Sequence, residues 1–410
     1  KEFVLQPQVS FILMDQHTGE VKAICGGRGT KTGSRTLNRA SDSTRQPGST
    51  FKVLSTFLPA IDTAGLTLAS VQDDAKFTYP GTKRQVKNWY NSYRGLSSIR
   101  TGIKDSMNVV AVKTLQQITP KLGYDYLLNL GFSTIVDNYT DRNGKTYTDI
   151  ALPMALGGLT KGVTNLELTT AFASIANGGT YRPASYYTVI YDHEGNVLLK
   201  NDSQGKQVMK ASTAWLLTSA MQDVVKSGTG TRARFKKCSL PQAGKSGTTT
   251  EDKDLWYVGY TPYLTAGIWS GNDDNTSVSQ TGYHKDIWRD IMEKINKNKK
   301  PAIFEKPKSI TSANICTKCG KLAIDGICNN AIGGSCVKKE YFDRENIPTE
   351  NCDCHIKCKI CKQSGRLAND KCPSSRVYTV IYLQKKETSP TSDSPLILPE
   401  NLTNSSCHLH

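Results

Sequence analysis

Short runs of apolar and β-branched residues mark both ends of the N-terminal three hundred residues. Val9-Ser10-Phe11-Ile12-Leu13-Met14 and Gly19-Glu20-Val21-Lys22-Ala23-Ile24 bracket a polar stretch, Asp15–Gly19, and predict two strands joined by a turn. Leu255–Tyr260 and Thr265–Ser270 predict two further strands. Between these ends the apolar spacing becomes helical. One helix is expected to begin near Ser49. A second covers Leu166–Ala176; Thr164 followed by Glu167 is a capping-box pattern at its start, and Asn177-Gly178-Gly179 ends it. A third covers about Thr213–Lys226 and stops at Gly228. Strands at the ends with helices between them predict a mixed α/β (α+β) body, one antiparallel sheet flanked by helices. No run of about 18 apolar residues occurs, so no membrane-spanning helix is expected.

Composition changes the picture in two ways. The chain has 410 residues, enough for two or three domains, and is 37% hydrophobic and 21% charged, which excludes a disordered chain. Of its 12 cysteines only Cys25 and Cys238 precede residue 300; the rest lie between Cys316 and Cys407. A cysteine-poor body and a cysteine-dense tail predict a boundary in the basic, Pro-containing stretch Lys297–Lys308. The expected division is residues 1–300, then two Cys-rich repeats, 301–357 and 358–410. The net charge of +16 favours anionic surroundings: nucleic acid, an anionic membrane face or a cell-wall polymer. The chain opens at Lys1-Glu2-Phe3 without an initiator Met and reads as an excised or processed piece.

Candidate chemistry sits at three places. In Ser49-Thr50-Phe51-Lys52, residues i and i+3 share a helix face, so the amine can approach the hydroxyl. Serine becomes a nucleophile only when a base takes its proton, and lysine is that base only when desolvation or a nearby cation lowers its pKa. The spacing alone is weak evidence, because it recurs at Ser203–Lys206 and Ser335–Lys338. The second place is Ser106-Met107-Asn108, by itself a turn or cap signal. The third is Lys245-Ser246-Gly247-Thr248, entering a strand: a cation, two hydroxyls, and a glycine that leaves room for close approach of a substrate backbone. Lys226-Ser227-Gly228-Thr229 looks similar but follows an apolar helix and reads as its C-terminus.

Taken in order, Ser49-x-x-Lys52, Ser106-x-Asn108 and Lys245-Ser246-Gly247-Thr248 resemble the motifs of the penicillin-binding protein transpeptidases. Arg45-Gln46-Pro47-Gly48-Ser49, Gly162-Val163-Thr164-Asn165-Leu166-Glu167-Leu168, Asp254–Pro262 and Trp269-Ser270-Gly271-Asn272-Asp273 extend the likeness to class A members over roughly residues 5–290. Met107 and Ser246 depart mildly from the usual motifs, and neither removes a functional group. The resemblance implies the penicillin-binding, serine β-lactamase-like transpeptidase fold. It implies that Ser49 attacks the D-Ala-D-Ala carbonyl of a stem peptide and that neutral Lys52 takes its proton. It also implies that Ser106 relays a proton to the leaving group and that Asn108 holds Lys52 and the substrate amide. Lys245 would lower the Lys52 pKa, and Ser246, Gly247 and Thr248 would form the substrate-binding strand. The N–H groups of Ser49 and Thr248 would form the oxyanion hole. An incoming amine completes a cross-link, and water gives carboxypeptidase activity. No cofactor is needed for this chemistry. The partners implied are peptidoglycan stem peptides, β-lactams and, through an anchor and glycosyltransferase domain expected upstream and absent from this chain, the extracytoplasmic face of a bacterial membrane; nucleic acid is not among them. A serine β-lactamase shares the motifs, but Asn165-Leu166-Glu167-Leu168-Thr169 lacks the Glu-x-x-Leu-Asn pattern of the class A enzymes.

Several side chains read as ordinary. His17, His193 and His284 are expected to be solvated, and Glu251-Asp252-Lys253-Asp254 to form a solvated loop. Trp89, Tyr90 and Tyr93 fit either a cleft lining or packing.

The tail repeats. Cys316-Thr317-Lys318-Cys319-Gly320-Lys321-Leu322-Ala323 followed by Cys328 parallels Cys361–Ala368 followed by Cys372, and each copy closes with Cys-x-x-His, Cys352–His355 and Cys407–His410. Such repeats resemble C-terminal extensions of class A proteins from Gram-positive bacteria. Three cysteines and one histidine per copy form a full tetrahedral set for a structural Zn2+: Cys316, Cys328, Cys352 and His355, then Cys361, Cys372, Cys407 and His410. A disulfide framework stands beside it as the usual expectation outside the membrane. Lys386–Pro399 reads as a flexible loop.

Overall fold

A computed structural model describes residues 6–31, 33–201, 204–386, 389–403 and 406–409. The chain divides into two compact units: Lys1–Gly65, Ile103–Ser106 and Ala111–Ser309 in one; Leu66–Gly102, Met107–Val110 and Ile310–His410 in the other.

The first unit is built on a five-stranded antiparallel sheet. Its strands are β1 (Gln8–Met14), β2 (Val21–Cys25), β3 (Ala243–Thr248), β4 (Asp254–Tyr260) and β5 (Thr265–Gly271), in the order β3-β4-β5-β1-β2. Strands β4 and β5 are buried along their whole length, which is why they read as near-continuous apolar runs. The alternation in β1 has a simple outcome. Phe11 and Leu13 join Tyr257, Ile268, Phe235 and Trp288 in one cluster, whereas Ile12 and Met14 pack with Ala40 and Ala173 in another. Helix Tyr283–Asn296 covers the first face, with Trp288 Nε1 donating to Ala266 O at 2.9 Å. Helix Asn165–Ala176 covers the second, where Asn165 Nδ2 donates to Ser10 O and Gly267 O, both 3.2 Å. Its start carries the capping box between Thr164 and Glu167. Helix Ala211–Ser227 ends at Gly228.

The second unit holds two seven-residue hairpins, Ile310–Cys316 with Val337–Asp343 and His355–Cys361 with Val377–Leu383, paired in matching register. It also holds the short pair Val71–Asp74 and Gly95–Ser98. A division by sequence order at residue 300 does not anticipate this grouping. Among the bonds that join residues 66–102 to the tail, Arg100 makes a two-pronged ion pair with Glu340, Nε to Oε2 and Nη2 to Oε1 both at 2.7 Å, with both residues buried, and Lys385 Nζ bonds to Asp73 at 2.9 Å. Ala69, Ile315 and Phe342 share an apolar cluster in the same unit.

Three readings are corrected. Lys386–Pro399 is pinned rather than free: Asp393 is buried, accepts from Lys318 Nζ at 2.5 Å and from Leu96 N–H at 2.6 Å. Its residues 387–388 lie outside the described residues. His284 is buried on the helix Tyr283–Asn296, its pKa pushed down to about 3 by burial and then by Lys285, whereas His17 and His193 are exposed. Asp254 is buried as the first residue of β4, where its carboxylate accepts from Trp269 Nε1 at 2.9 Å. Among the described residues no helix is long and apolar enough to cross a membrane.

Candidate active site and cysteine clusters

The segment before Ser49 is held by its neighbours more than by its own helix. Arg45 exchanges two 2.9 Å backbone bonds with Val163, Gln46 exchanges side-chain bonds with the Leu159 backbone, and Trp256 Nε1 donates to Gln46 O at 2.9 Å. Gly48 has φ +53°, in the left-handed region that favours glycine, and opens a single 3-10 turn, Gly48–Thr50. The chain then widens into a π-helical stretch, Lys52–Phe57, before α-helix Leu58–Asp62. The expected helix near Ser49 therefore exists, but in three geometries; π turns are rare and frequent at functional sites. Lys52 falls at the widening and is completely buried, whereas Ser49 is half-buried.

Strand β3 lies directly against this turn. A Cβ on Gly247 would sit 2.6 Å from Pro47 O and 2.9 Å from Thr50 Cγ2. Gly247 is thus required by the Ser49 segment itself. A Cβ on Gly48 would sit 2.8 Å from Thr248 O. These two glycines bring the Ser49 turn and the Thr248 end of β3 into backbone contact.

Ser106 is the meeting point. Its φ of +54° is unusual for a residue with a side chain and costs strain. Lys52 Nζ donates to Ser106 O at 2.6 Å and to Ser106 Oγ at 3.2 Å, and Lys245 Nζ donates to the same Oγ at 2.9 Å. Two fully buried amines therefore converge on one hydroxyl. Burial, then the charge of Lys245, holds Lys52 well below its ordinary range. Burial, then Lys285, lowers Lys245 to about 7. Asn108 opens helix Asn108–Ile118, its Nδ2 donating to Lys87 O at 2.7 Å and its N–H to Asn88 Oδ1 at 2.9 Å. Tyr90 gives its hydroxyl to Asp74, and Trp89 is exposed.

Two residues escaped the sequence reading. Thr229, beyond the helix that stops at Gly228, shares a 2.9 Å hydrogen bond between its Oγ1 and Ser246 Oγ. Lys285 Nζ donates to Thr229 O at 3.1 Å. Thr229 lay in a segment legible only as a helix end, and Lys285 carried no motif. Thr229 thus links Ser246 to Lys285 beside the buried Lys245.

The tail cysteines gather in two groups. Cys316, Cys352, Cys354 and His355 place their ligand atoms within 4.8 Å of one another, as do Cys361, Cys372 and Cys407. Cys354 thus stands where the sequence reading placed Cys328, whose sulfur instead accepts from Ile324 N–H at 3.3 Å. His410 and Ser203 lie outside the described residues. No disulfide joins the described cysteines.

Comparison with known proteins fits this geometry. A family profile described as "Penicillin binding protein transpeptidase domain" matches residues 9–293, and one described as "Penicillin-binding protein 1A, C-terminal domain" matches residues 306–357. The chain is 33% identical over 397 residues to penicillin-binding protein 1A of Clostridium botulinum, covering 93% of this chain and 46% of that protein. It is 32% identical over 427 residues to that of Clostridium novyi, covering 100% of this chain and 48% of the other. The chain therefore spans about half the length of these relatives. The crystal structure of penicillin-binding protein 1A from Haemophilus influenzae has the same fold, with TM-score 0.70 and 24% identity over 84% of this chain and 54% of the other. The PonA1 protein of Mycobacterium tuberculosis in complex with penicillin V gives TM-score 0.63 and 23% identity over 74% and 81%. With a transpeptidase profile across most of its length, the chain belongs to the penicillin-binding protein transpeptidase family.

Proposed function

We propose that the chain is a serine D,D-transpeptidase that cross-links peptidoglycan stem peptides and is acylated by β-lactams. Ser49 Oγ attacks the carbonyl carbon of the penultimate D-Ala while its proton passes to neutral Lys52 Nζ. The tetrahedral oxyanion rests on the N–H groups of Ser49 and Thr248. The C–N bond then breaks as Ser106 Oγ gives a proton to the departing D-Ala amine and regains one from Lys52. Asn108 orients Lys52 and the substrate amide. Lys245, Ser246 and Thr248 receive the terminal carboxylate, with Gly247 allowing the strand to sit against the Ser49 turn. A second stem-peptide amine attacks the acyl-enzyme to form the cross-link, and water at the same step gives a carboxypeptidase side reaction. The full-length protein works at the extracytoplasmic face of the bacterial membrane.

One observation carries this reading: Ser106 Oγ lies 3.2 Å from Lys52 Nζ and 2.9 Å from Lys245 Nζ, with both amines buried. Two buried like charges that share one hydroxyl repel, so the site favours one neutral amine, which is the base the mechanism needs. Intact mass after benzylpenicillin treatment tests it. One long-lived adduct is expected on the native chain and none on Ser49→Ala. An adduct that persists in Ser49→Ala, or rapid hydrolysis of the drug by the native chain, overturns the assignment.

A further inference from the structure

The cysteine group in the first tail copy has the dimensions of a coordination shell. Cys316 Sγ to Cys354 Sγ is 3.8 Å, and Cys352 Sγ to Cys354 Sγ is 3.6 Å. His355 Nδ1 lies 3.7 Å from Cys316, 3.3 Å from Cys352 and 3.6 Å from Cys354. Tetrahedral zinc with Zn–S of about 2.3 Å and Zn–N of about 2.0 Å has S···S edges of about 3.8 Å and S···N edges of about 3.5 Å. Five of the six edges match those values, and the sixth, Cys316 Sγ to Cys352 Sγ, lies within 4.8 Å. A disulfide would bring two sulfurs to about 2.05 Å and would give the imidazole nitrogen no partner.

Backbone donors already serve these sulfurs. The N–H of Lys318 bonds to Cys316 and that of Cys354 to Cys352, the kind of outer contact that stabilises a ligating thiolate. The turn that presents Cys316 is repeated in the second copy. Gly320 N–H returns to Cys316 O at 2.8 Å and Gly365 N–H to Cys361 O at 2.9 Å; Cys352 N–H bonds to Leu322 O at 2.8 Å and Cys407 N–H to Leu367 O at 2.7 Å. The fold of the repeat therefore places Cys316 and Cys352, whereas Cys354 is particular to the first copy; the second group holds Cys372 in its stead.

We propose that Cys316, Cys352, Cys354 and His355 Nδ1 bind one structural Zn2+. Cys316 ends the first hairpin's opening strand and His355 begins the second hairpin. The ion ties the closing segment of copy one to the start of copy two, in a unit whose copies are individually too small to bury much core. All four protein ligands are used, so the site has no open position for substrate and its role is structural. Cys319, whose thiol bonds to Cys316, Cys354 and Cys352, is the nearest competing ligand, and Cys328, which bonds to Cys352, is the next.

The full chain, purified with zinc and dialysed against metal-free buffer, provides the test. Zinc is measured on the native chain and on Cys354→Ser, Cys328→Ser and Cys319→Ser. Cys354→Ser is expected to lose one zinc relative to the native chain, and Cys328→Ser and Cys319→Ser to keep it. Zinc-edge X-ray absorption, on a chain whose second cluster is silenced by Cys372→Ser and Cys407→Ser, should show three sulfurs and one nitrogen. This measurement stands even where Cys354→Ser fails to fold. A four-sulfur shell, zinc lost with Cys328→Ser but kept with Cys354→Ser, or a zinc-free native chain with disulfides in its mass spectrum, each overturns the proposal.

Discussion

A hydroxyl flanked by two buried lysine amines makes pH the sharpest probe of the residue scale. Lys52 can take the Ser49 proton only when neutral, so acylation rises with pH through its lowered folded pKa. Lys245 can receive a carboxylate only when charged, and it loses its proton above about 7. The rate of labelling by a fluorescent penicillin is expected to be bell-shaped, its two limbs belonging to the coupled pair rather than to either lysine. The sign also applies to folding. Lys245 has a folded value of about 7 against 10.5 when exposed, so the unfolded chain binds more protons between these values and this group's contribution to stability rises with pH across that window. Lys285 helps lower Lys245. Lys285→Gln should therefore move the alkaline limb to higher pH; a limb that stays in place would remove Lys285 from the site's electrostatics.

At the scale of elements, contact between the Ser49 turn and strand β3 is set by glycine. Gly48→Ala places a Cβ 2.8 Å from Thr248 O, a backbone atom that cannot rotate away, and adds about 1–2 kcal/mol for an alanine in the left-handed region. Penicillin acylation should fall at least about tenfold, a barrier increase of about 1.4 kcal/mol. The chain should keep its far-ultraviolet circular dichroism. Unchanged acylation would mean that this packing does not position the nucleophile. The same elements show what could be read in advance. The motifs of Lys52, Ser106 and Lys245, which the fold brings together, stand out in the sequence because each carries its polar groups in two to four adjacent residues. The β4 and β5 strands were legible because full burial on both faces demands continuous apolar runs. Thr229 and Lys285 were not, since their role arises from a contact across the fold. Nor was the approach of Cys354 to the imidazole: the repeat pairs Cys328 with Cys372 and gives Cys354 no counterpart, and only the turn at Cys352–His355 brings its sulfur to the ring.

For the whole molecule, the grouping of residues 66–102 with the tail includes a buried ion pair that composition could not reveal, because Arg100 and Glu340 are ordinary surface residues in any local window. In the folded unit both are buried, and Glu340 Oε1 also accepts from Tyr341 N–H at 2.8 Å. A buried pair of this geometry contributes little net stability against an apolar pair, yet breaking it by removing one partner costs about 3–5 kcal/mol, because the remaining charge is stranded. Arg100→Ala should therefore destabilise this unit by about that amount, seen as faster amide hydrogen exchange in Ile310–Cys316 and Val337–Asp343 by about two to four decades. Arg100→Met with Glu340→Met should recover most of the loss, since no charge is left behind. If Arg100→Ala leaves exchange in the hairpin unchanged, the pair does not hold the tail to residues 66–102. If the double variant is as unstable as the single one, the unit needs this ion pair for its geometry rather than merely tolerating it.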